Sequence, residues 1–289
     1  MSAVEQEIAS QPEVWRRASE LAGRVELPAP GERLMVIGCG TSFHIARAYA
    51  VLREEVAGET DAFAASELPA GRTYPRVLAI SRSGTTTEVL RALRALDGRV
   101  STTVITAVSG SPIAEAAGQA VVLEFADERS VVQTRFATSV LALLRAHVGH
   151  DLAPVIAECE AALTTPLPPD PARFARVHLL GRGWTVGVAD EGALKLREAA
   201  RAWAEAYPAL EYRHGPISLA DPETLVVAMG DIGEDVLEDV AATGAAVLDT
   251  GWDAMATLVL VQRLAIALAV ARGLDPDHPR NLTRSVVLP

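Results

Sequence analysis

The sequence predicts an α/β protein of two similar lobes, each a parallel sheet flanked by helices in three αβα layers. Short apolar, β-branched segments alternate with longer segments of helical periodicity, which is the pattern of parallel βαβ units. A Pro-rich stretch, TTPLPPDPARF at 164–174, interrupts this alternation, which then starts again. The chain has 289 residues, and at roughly 150 residues per domain that length fits about two domains.

Four segments make up this organisation. Residues 1–25 are predicted to form an N-terminal helix, because an apolar stripe at helical spacing runs over 5–24. We expect this helix to pack across a lobe or a partner subunit. The first lobe covers 26–163, the linker 164–174, and the second lobe with a C-terminal tail 175–289. The turns VIGCGTSF at 36–43 and LLGRGWTV at 179–186 follow the first strand of each lobe, which suggests a duplication.

The individual strands and helices follow from local apolar patterns. Predicted strands cover 34–37, 77–80, 102–106, 120–124, 177–180, 225–229 and 245–248, and two long helices of the second lobe cover about 185–206 and 257–272.

Composition limits the classes of partner. The net charge of −11 opposes binding to a nucleic-acid backbone or an anionic membrane. The longest apolar runs are interrupted by charged residues before the roughly 20 residues that span a bilayer, and the N-terminus lacks a secretory pattern. A cytoplasmic location is therefore predicted. Cys39 and Cys159 have no zinc-ligand spacing and form no disulfide framework, and neither a metal nor an organic cofactor is predicted.

The segment VLAISRSGTTTEVLRALRAL at 77–96 predicts an anion site. It runs from an apolar strand through a hydroxyl-rich turn into an amphipathic helix, whose first amides and dipole favour a negative charge. Ser81, Ser83 and Thr86 can donate to phosphate oxygens, and Arg82 can add a positive charge. A Ser or Thr at a helix start is often only a cap, but one hydroxyl is enough for a cap.

An earlier turn has the same character. The sequence GCGTSF places Gly40, Thr41 and Ser42 between a strand and a helix, where ligands bind in open α/β sheets. It lacks the GxGxxG spacing and the acidic ribose ligand of a dinucleotide site. The glycines alone can also be explained by a tight turn.

Six segments together resemble one known family. GCGTS, Ser66–Glu67, SRSGTT, EGALKLRE at 191–198, EYRHGP at 211–216 and HPRNLTRSVVLP at 278–289 are similar, in order and spacing, to the isomerase domain of glucosamine-6-phosphate synthase. The resemblance implies two flavodoxin-like sugar-isomerase (SIS) lobes that bind a phosphosugar. No glutaminase domain with its N-terminal Cys is recognised ahead of the first lobe, so we expect no synthesis from glutamine.

The resemblance also implies residue roles. Thr41, Ser42, Ser81, Arg82, Ser83 and Thr86 correspond to sugar-phosphate contacts, Glu198 to the base that moves a proton between C1 and C2, and His214 to the residue that assists ring opening. In the family this histidine is contributed across a dimer interface, so a homodimer is implied.

The candidate catalytic residues also have simpler explanations. Glu191, Lys195 and Glu198 lie at i, i+4 and i+7 on one helix face, where Glu191 and Lys195 are typical of a surface ion pair. Glu198 lies among apolar residues, which suits a general base near neutral pH. His214 can exchange protons near neutral pH, although a lone loop histidine is often incidental.

Two positions depart from the synthase pattern. The family lysine that forms a Schiff base is replaced by Arg284, whose guanidinium stays protonated and is no imine nucleophile, although it can bind a sugar oxygen or phosphate. Gln133 stands where the synthase has a serine. The surrounding segment, VVQTRFATS at 131–139, more closely resembles the free-standing isomerases and deaminases.

Four functions remain open. A carboxylate that removes the proton at C1 or C2 supports aldose–ketose isomerisation, deamination of glucosamine 6-phosphate, or dehydration of N-acetylglucosamine 6-phosphate. Because dehydration and enediol isomerisation need no imine, Arg284 shifts the balance towards them. A non-catalytic phosphosugar sensor is the fourth alternative, disfavoured because the N-terminus has room for only one helix.

Overall fold

The structure is a computed structural model that describes residues 1–96 and 98–288; Asp97 and Pro289 lie outside this description. The chain forms two units. The N-unit consists of Glu13–Arg129, Gln133–Leu152 and Thr283–Pro289, and the C-unit consists of Met1–Pro12, Ser130–Val132 and Ala153–Leu282. The first helix of the chain therefore belongs to the C-unit and the C-terminal tail to the N-unit.

The N-unit contains a parallel sheet with the strand order β2-β1-β3-β4-β5. Its central strands β1 and β3 are buried along their whole length, as expected for a parallel sheet covered on both faces. Its elements are α2 (Gln11–Ser19) from Glu13 onward, β1 (Leu34–Gly38), α3 (Thr41–Val56), β2 (Thr60–Ala64), β3 (Arg76–Ile80), α4 (Thr87–Leu96), β4 (Ser101–Thr106), α5 (Pro112–Ala116), β5 (Gln119–Val122) and α6 (Arg135–His147).

The C-unit repeats this topology. Its parallel sheet has the order β7-β6-β8-β9, which matches β2-β1-β3-β4 and is the flavodoxin-like order. Its elements are α1 (Ala3–Ala9), α7 (Ala153–Thr164), β6 (Arg176–Gly181), α8 (Thr185–Ala200), β7 (Trp203–Pro208), β8 (Thr224–Ala228), α9 (Glu234–Ala242), β9 (Ala246–Leu248) and α10 (Ala254–Ala271). The predicted fold class of two flavodoxin-like α/β lobes is confirmed.

Two corresponding glycines explain why the same turn occurs in both units. An added Cβ at Gly38 would lie 2.7 Å from the main-chain carbon of Ser42, and one at Gly181 would lie 2.5 Å from the main-chain oxygen of Thr185. Only glycine therefore lets α3 and α8 approach the strands that precede them so closely. The equivalence extends to local geometry, which supports the predicted duplication.

The structure corrects the predicted secondary structure at one edge of each sheet. The helix predicted over 185–206 ends at Ala200, and Trp203–Pro208 forms β7 instead. The corresponding edge strand of the N-unit, β2, is likewise absent from the prediction. Both strands are only partly buried and rich in alanine and polar residues, so they lack the continuous apolar run that identifies a central strand.

The N-terminal segment forms two helices rather than one. α1 ends at Ala9 and α2 begins at Gln11. The first main-chain N–H groups of α1 donate to Asp277, from Ala3 to Oδ2 and from Val4 to Oδ1, both at 2.8 Å. A carboxylate at a helix N-terminus satisfies amides that have no partner within the helix. The first helix thus packs within the C-unit, as the apolar stripe suggests.

One helix of the C-unit is unusually apolar. Among the described residues, Ala254–Ala271 is long and apolar enough to cross a membrane by length and composition, but 78% of that window is buried inside the protein. Such burial is typical of a core helix, and α10 packs against α7 and α8.

Candidate functional site

The predicted anion site lies at the topological switch point of the N-unit sheet. Strands β1 and β3 are adjacent and parallel, so the turn after β1 and the turn after β3 leave the same edge of the sheet. Gly40, Thr41 and Ser42 follow β1, and Ser81–Thr86 follows β3. Ligands of doubly wound α/β proteins bind at this position.

The loop after β3, residues 81–86, is built to receive an anion. Among residues 1–96 and 98–288, the main-chain N–H groups of Ser83, Gly84 and Thr86 make no hydrogen bond to protein atoms. They precede α4, whose dipole adds positive potential at its N-terminus. Three unsatisfied amides at a helix start form the kind of cradle that binds phosphate.

Gly84 fixes the shape of this loop. Its φ is +66°, and an added Cβ would lie 2.0 Å from Oγ of Ser111 and 2.3 Å from Cβ of Ser111. Its carbonyl oxygen also accepts a hydrogen bond from the Ile113 N–H at 3.0 Å. Glycine is therefore required at this position for two reasons, backbone conformation and space.

The C-terminal tail contacts the same loop within the N-unit. The Ser285 hydroxyl lies 3.0 Å from the Ser83 hydroxyl and 2.9 Å from the Thr85 hydroxyl. The main-chain N–H of Thr87 donates to the Val286 carbonyl at 3.1 Å. The tail thus orders the side of the loop that carries Ser83.

Arg82 is directed into the N-unit. Its side chain is buried, with Nη1 3.8 Å from Oε2 of Glu128 and Nη2 donating to the Arg284 carbonyl at 2.8 Å. The charge of Arg82 is therefore balanced by Glu128. The main-chain amides and hydroxyls of the loop are the better-placed donors to a ligand.

Glu128 joins the loop to the Gln133 segment. Its Oε1 accepts hydrogen bonds from the N–H groups of Thr134 and Arg135, at 2.5 Å and 2.9 Å, and thereby caps α6. Gln133 immediately precedes these residues, and its Oε1 is buried without a hydrogen-bond partner in the described part of the chain. Sequence reasoning missed Glu128, because nothing local indicates that it faces Arg82.

Arg284 also binds this segment. Its Nη1 donates to the Glu128 carbonyl, and its Nη2 lies 2.5 Å from Oδ1 of Asp127. Arg284 thus links the C-terminal tail to the segment that precedes Gln133.

Cys39 lies in the first turn, where its surroundings disfavour the nucleophilic thiolate form. Burial, followed by the nearby Glu88 carboxylate, raises the pKa of the Cys39 thiol. A thiol with a raised pKa stays protonated near neutral pH.

The candidate base belongs to a buried charge cluster on α8. Nζ of Lys195 donates to Oε2 of Glu198 at 2.6 Å and lies 3.4 Å from Oε1 of Glu191. The side chains of Glu191 and Lys195 are 0% and 1% exposed, whereas Glu198 is 18% exposed. The interpretation of Glu191 and Lys195 as a surface ion pair is wrong, because α8 is packed against α10 and the sheet. Glu198 is the carboxylate that remains accessible.

Replacing Lys195 with Met is expected to destabilise the protein strongly. The substitution leaves the buried Glu191 and the partly buried Glu198 without their shared cation, which costs about 3–5 kcal/mol. Urea unfolding of the variant measures this loss. The exposed i,i+3 pair Arg16–Glu13, with N–O at 2.8 Å, is the matched control, and Arg16→Met should cost less than about 1 kcal/mol. Equal losses of unfolding free energy in Lys195→Met and Arg16→Met would contradict the assignment of Lys195 to a buried charge cluster.

His214 ends a short 3₁₀ helix, Glu211–His214, and is exposed. The preceding Arg213 donates to Asp235 at 2.8 Å and to Asp239 at 2.6 Å on α9. The segment is therefore anchored while the His214 imidazole faces outward.

The predicted residues fall into two groups. The three candidate catalytic residues, Lys195, Glu198 and His214, lie in the C-unit. The nine candidate binding residues all lie in the N-unit: Gly40, Thr41, Ser42, Ser81, Arg82, Ser83, Thr86, Gln133 and Arg284. Within the described ranges, no group of three or more His, Cys, Asp or Glu side chains is arranged to hold a metal ion.

Comparison with known proteins gives matches to a family model and to curated relatives. Residues 172–242 match the family model of the SIS domain. A glutamine–fructose-6-phosphate aminotransferase (isomerizing) of Methanothermobacter thermautotrophicus is 32% identical over 93% of this chain, and the match covers 54% of that protein. The chain thus spans about half the length of the curated relatives it matches.

Solved structures resemble the whole chain. Glucosamine-6-phosphate deaminase of Thermotoga maritima has a TM-score of 0.84 at 26% identity, covering 99% of this chain and 100% of that chain. Tagatose-6-phosphate ketose/aldose isomerase of Escherichia coli has a TM-score of 0.78 at 23% identity, covering 97% of each chain. The second likeness shows a shared fold.

Proposed function

This chain belongs to the SIS-domain family and is similar to phosphosugar isomerases and deaminases, and from that premise we propose that it is an enzyme acting on a hexose 6-phosphate. It moves a proton between C1 and C2 of the opened sugar, and its preferred substrate is a 2-amino sugar that loses its amino group. The observation that carries the proposal is the set of three main-chain amides, at Ser83, Gly84 and Thr86, that find no hydrogen-bond partner in the part of the chain that the structure describes.

Phosphate is the ligand class that fits this loop. A net charge of −11 repels anions in general, so a phosphosugar needs local donors. The loop amides provide them, and the Ser81 and Thr86 hydroxyls lie 3.5 Å apart beside them. Charge-assisted hydrogen bonds from amides to a phosphate are roughly twice as strong as neutral ones.

Glu198 is the proposed base. It is the accessible carboxylate of the α8 cluster, and Lys195 holds its Oε2 in place. In the proposed reaction Glu198 takes the proton from C2 of the open-chain aldosamine, giving an enaminol. Return of the proton to C1 gives a ketimine, and water hydrolyses it to ketose 6-phosphate and ammonia.

This route requires no amine from the protein. The nitrogen of the ketimine is the substrate's own C2 amine, so the guanidinium of Arg284 is no obstacle. Arg284 is engaged with Asp127, and Lys195 lies between two carboxylates. Neither side chain provides the neutral amine that a Schiff base needs.

Four further proposals complete this function. His214, exposed at the end of its 3₁₀ helix, transfers the proton that opens the sugar ring. Its exposure suits a homodimer in which it serves the partner's substrate. The enzyme is proposed to act in the cytoplasm. It needs no cofactor, since proton transfer alone accounts for the chemistry.

One phosphosugar is expected to bind per chain. The turn of the C-unit that corresponds to 81–86 lies between β8 and α9 and carries Asp231, and α9 begins with two further acids, Glu234 and Asp235. The hydrogen bond from Arg213 keeps the pKa of Asp235 below its ordinary value, so this carboxylate repels a phosphate. Calorimetric titration with glucosamine 6-phosphate should therefore give a stoichiometry of one, and two sites per chain would contradict the assignment.

A product assay tests the proposed reaction. Purified protein is incubated separately with glucosamine 6-phosphate, N-acetylglucosamine 6-phosphate and fructose 6-phosphate. We expect ammonia and ketose from the first substrate. An ultraviolet-absorbing enal from the second would instead identify a dehydratase. Binding without any product would identify a sensor and overturn the proposed enzyme.

A further inference from the structure

We propose that Tyr212 and His178 form a buried positioning pair, backed by Glu205, that holds the His214 imidazole in its working position. This inference rests on the proposed function of His214 in ring opening. None of the three side chains is assigned a role by the reaction itself. They are positioning residues, because they act through the 3₁₀ helix that ends in His214.

The pair is defined by one short hydrogen bond. Nδ1 of His178, on the central strand β6, lies 2.7 Å from the Tyr212 hydroxyl, and both residues are fully buried. Tyr212 belongs to the same 3₁₀ helix as His214, two residues earlier. The hydrogen bond therefore joins the helix that carries His214 directly to the centre of the C-unit sheet.

Glu205 lies on the other side of the imidazole. It faces His178 in the register of β6 and β7, and its Oε2 is 3.7 Å from Nε2 of His178. That distance is too long for a hydrogen bond, but the carboxylate favours a proton on Nε2. With Nε2 protonated, Nδ1 is left as the acceptor for the Tyr212 hydroxyl.

The protonation states agree with this arrangement. Burial lowers the pKa of His178, so the imidazole is neutral near neutral pH. Burial, followed by the nearby Tyr207 and Glu205, raises the pKa of Tyr212 to about 12, so its hydroxyl keeps its proton. A neutral phenol thus donates to a neutral imidazole.

Arg213, next to Tyr212, anchors the same 3₁₀ helix to α9. Tyr212 points into an apolar cluster with Val226 and Val236, while Arg213 pairs with Asp235 and Asp239 on α9. Tyr212 is therefore held in the core and Arg213 on α9, whereas the next side chain, His214, is exposed. Such anchoring is more than a surface turn needs, but it suits a group that must meet a substrate with sub-ångström accuracy.

Tyr212→Phe tests the hydrogen bond without removing the ring. We expect kcat for glucosamine 6-phosphate to fall about 10-fold to 100-fold, the range for a catalytic group displaced by up to about 1 Å. KM should change less than about twofold, because the phosphate loop is untouched. Tyr74→Phe is the matched control: it also removes a short hydrogen bond of a buried tyrosine, from its hydroxyl to Oδ2 of Asp61 at 2.6 Å in the N-unit, and we expect unchanged kcat.

A double-mutant cycle separates positioning from general destabilisation. If Tyr212 acts through His214, Tyr212→Phe should have no further effect on kcat in a His214→Ala background. Additive effects of the two substitutions would overturn the proposal. So would an equal loss of kcat in Tyr74→Phe.

Nuclear magnetic resonance provides a readout that does not need turnover. The ring nitrogens of His178 should show a protonated Nε2 and an unprotonated Nδ1. Tyr212→Phe should shift the His214 ring signals, whereas Tyr74→Phe should not. Unchanged His214 signals in Tyr212→Phe overturn the inference. An inactive wild-type protein with the expected shifts overturns only the proposed function.

Discussion

Replacing Glu198 with Gln is expected to lower kcat for glucosamine 6-phosphate by about 10²-fold to 10⁴-fold, the range that one general base contributes. The amide cannot take the proton from C2, yet its oxygen can still accept the hydrogen bond from Lys195. Binding of the phosphosugar should therefore persist. Steady-state kinetics and calorimetric titration of the same preparation measure the two quantities.

The control for this variant is Glu238→Gln, an exposed glutamate on α9, which should leave kcat unchanged. If Glu198→Gln retains full turnover, Glu198 is not the base. If it loses binding together with turnover, Glu198 is a binding residue instead.

Replacing Gly84 with Ala is expected to abolish phosphosugar binding. The left-handed backbone costs about 1–2 kcal/mol for a residue with a Cβ, and overpacking adds about 1–3 kcal/mol. The overlap falls on Ser111, whose hydroxyl caps α5, so relief of the clash disturbs both the loop and α5. Calorimetry measures binding, and urea unfolding measures the loss of stability.

Gly251→Ala separates strain from steric overlap. Gly251 has a φ of +65°, and no atom of the described residues lies within 4 Å of an added Cβ, so Gly251→Ala should cost only the conformational part, about 1–2 kcal/mol. Phosphosugar binding should persist in this variant. Normal binding by Gly84→Ala would show that the loop geometry is not needed.

Central strands and the anion loop could be predicted from sequence because their signals are local. The predicted segments of β1, β3 and β8 are wholly apolar and that of β6 is interrupted only by His178, and each predicted segment lies within two residues of the observed bounds. The loop 81–86 follows directly from the order of strand, hydroxyl-rich turn and helix. The edge strands β2 and β7 are absent from the prediction because they are partly exposed and contain polar residues, so neither has the continuous apolar run of a central strand.

The contacts made by individual side chains could not be predicted from the sequence. Arg82 is a predicted phosphate contact, and the sequence gives no sign that its side chain also lies beside Glu128, a residue 46 positions later in the numbering. Lys195 has the spacing of a surface pair, but its burial depends on the packing of α10 on α8. Both outcomes are set by tertiary contacts between distant segments, which helix periodicity does not encode.

The most direct test of the phosphate loop is the crystal structure of the protein with glucosamine 6-phosphate. The account predicts a phosphate within hydrogen-bonding distance of the main-chain N–H groups of Ser83, Gly84 and Thr86. A phosphosugar bound elsewhere, with this loop unoccupied, would contradict it.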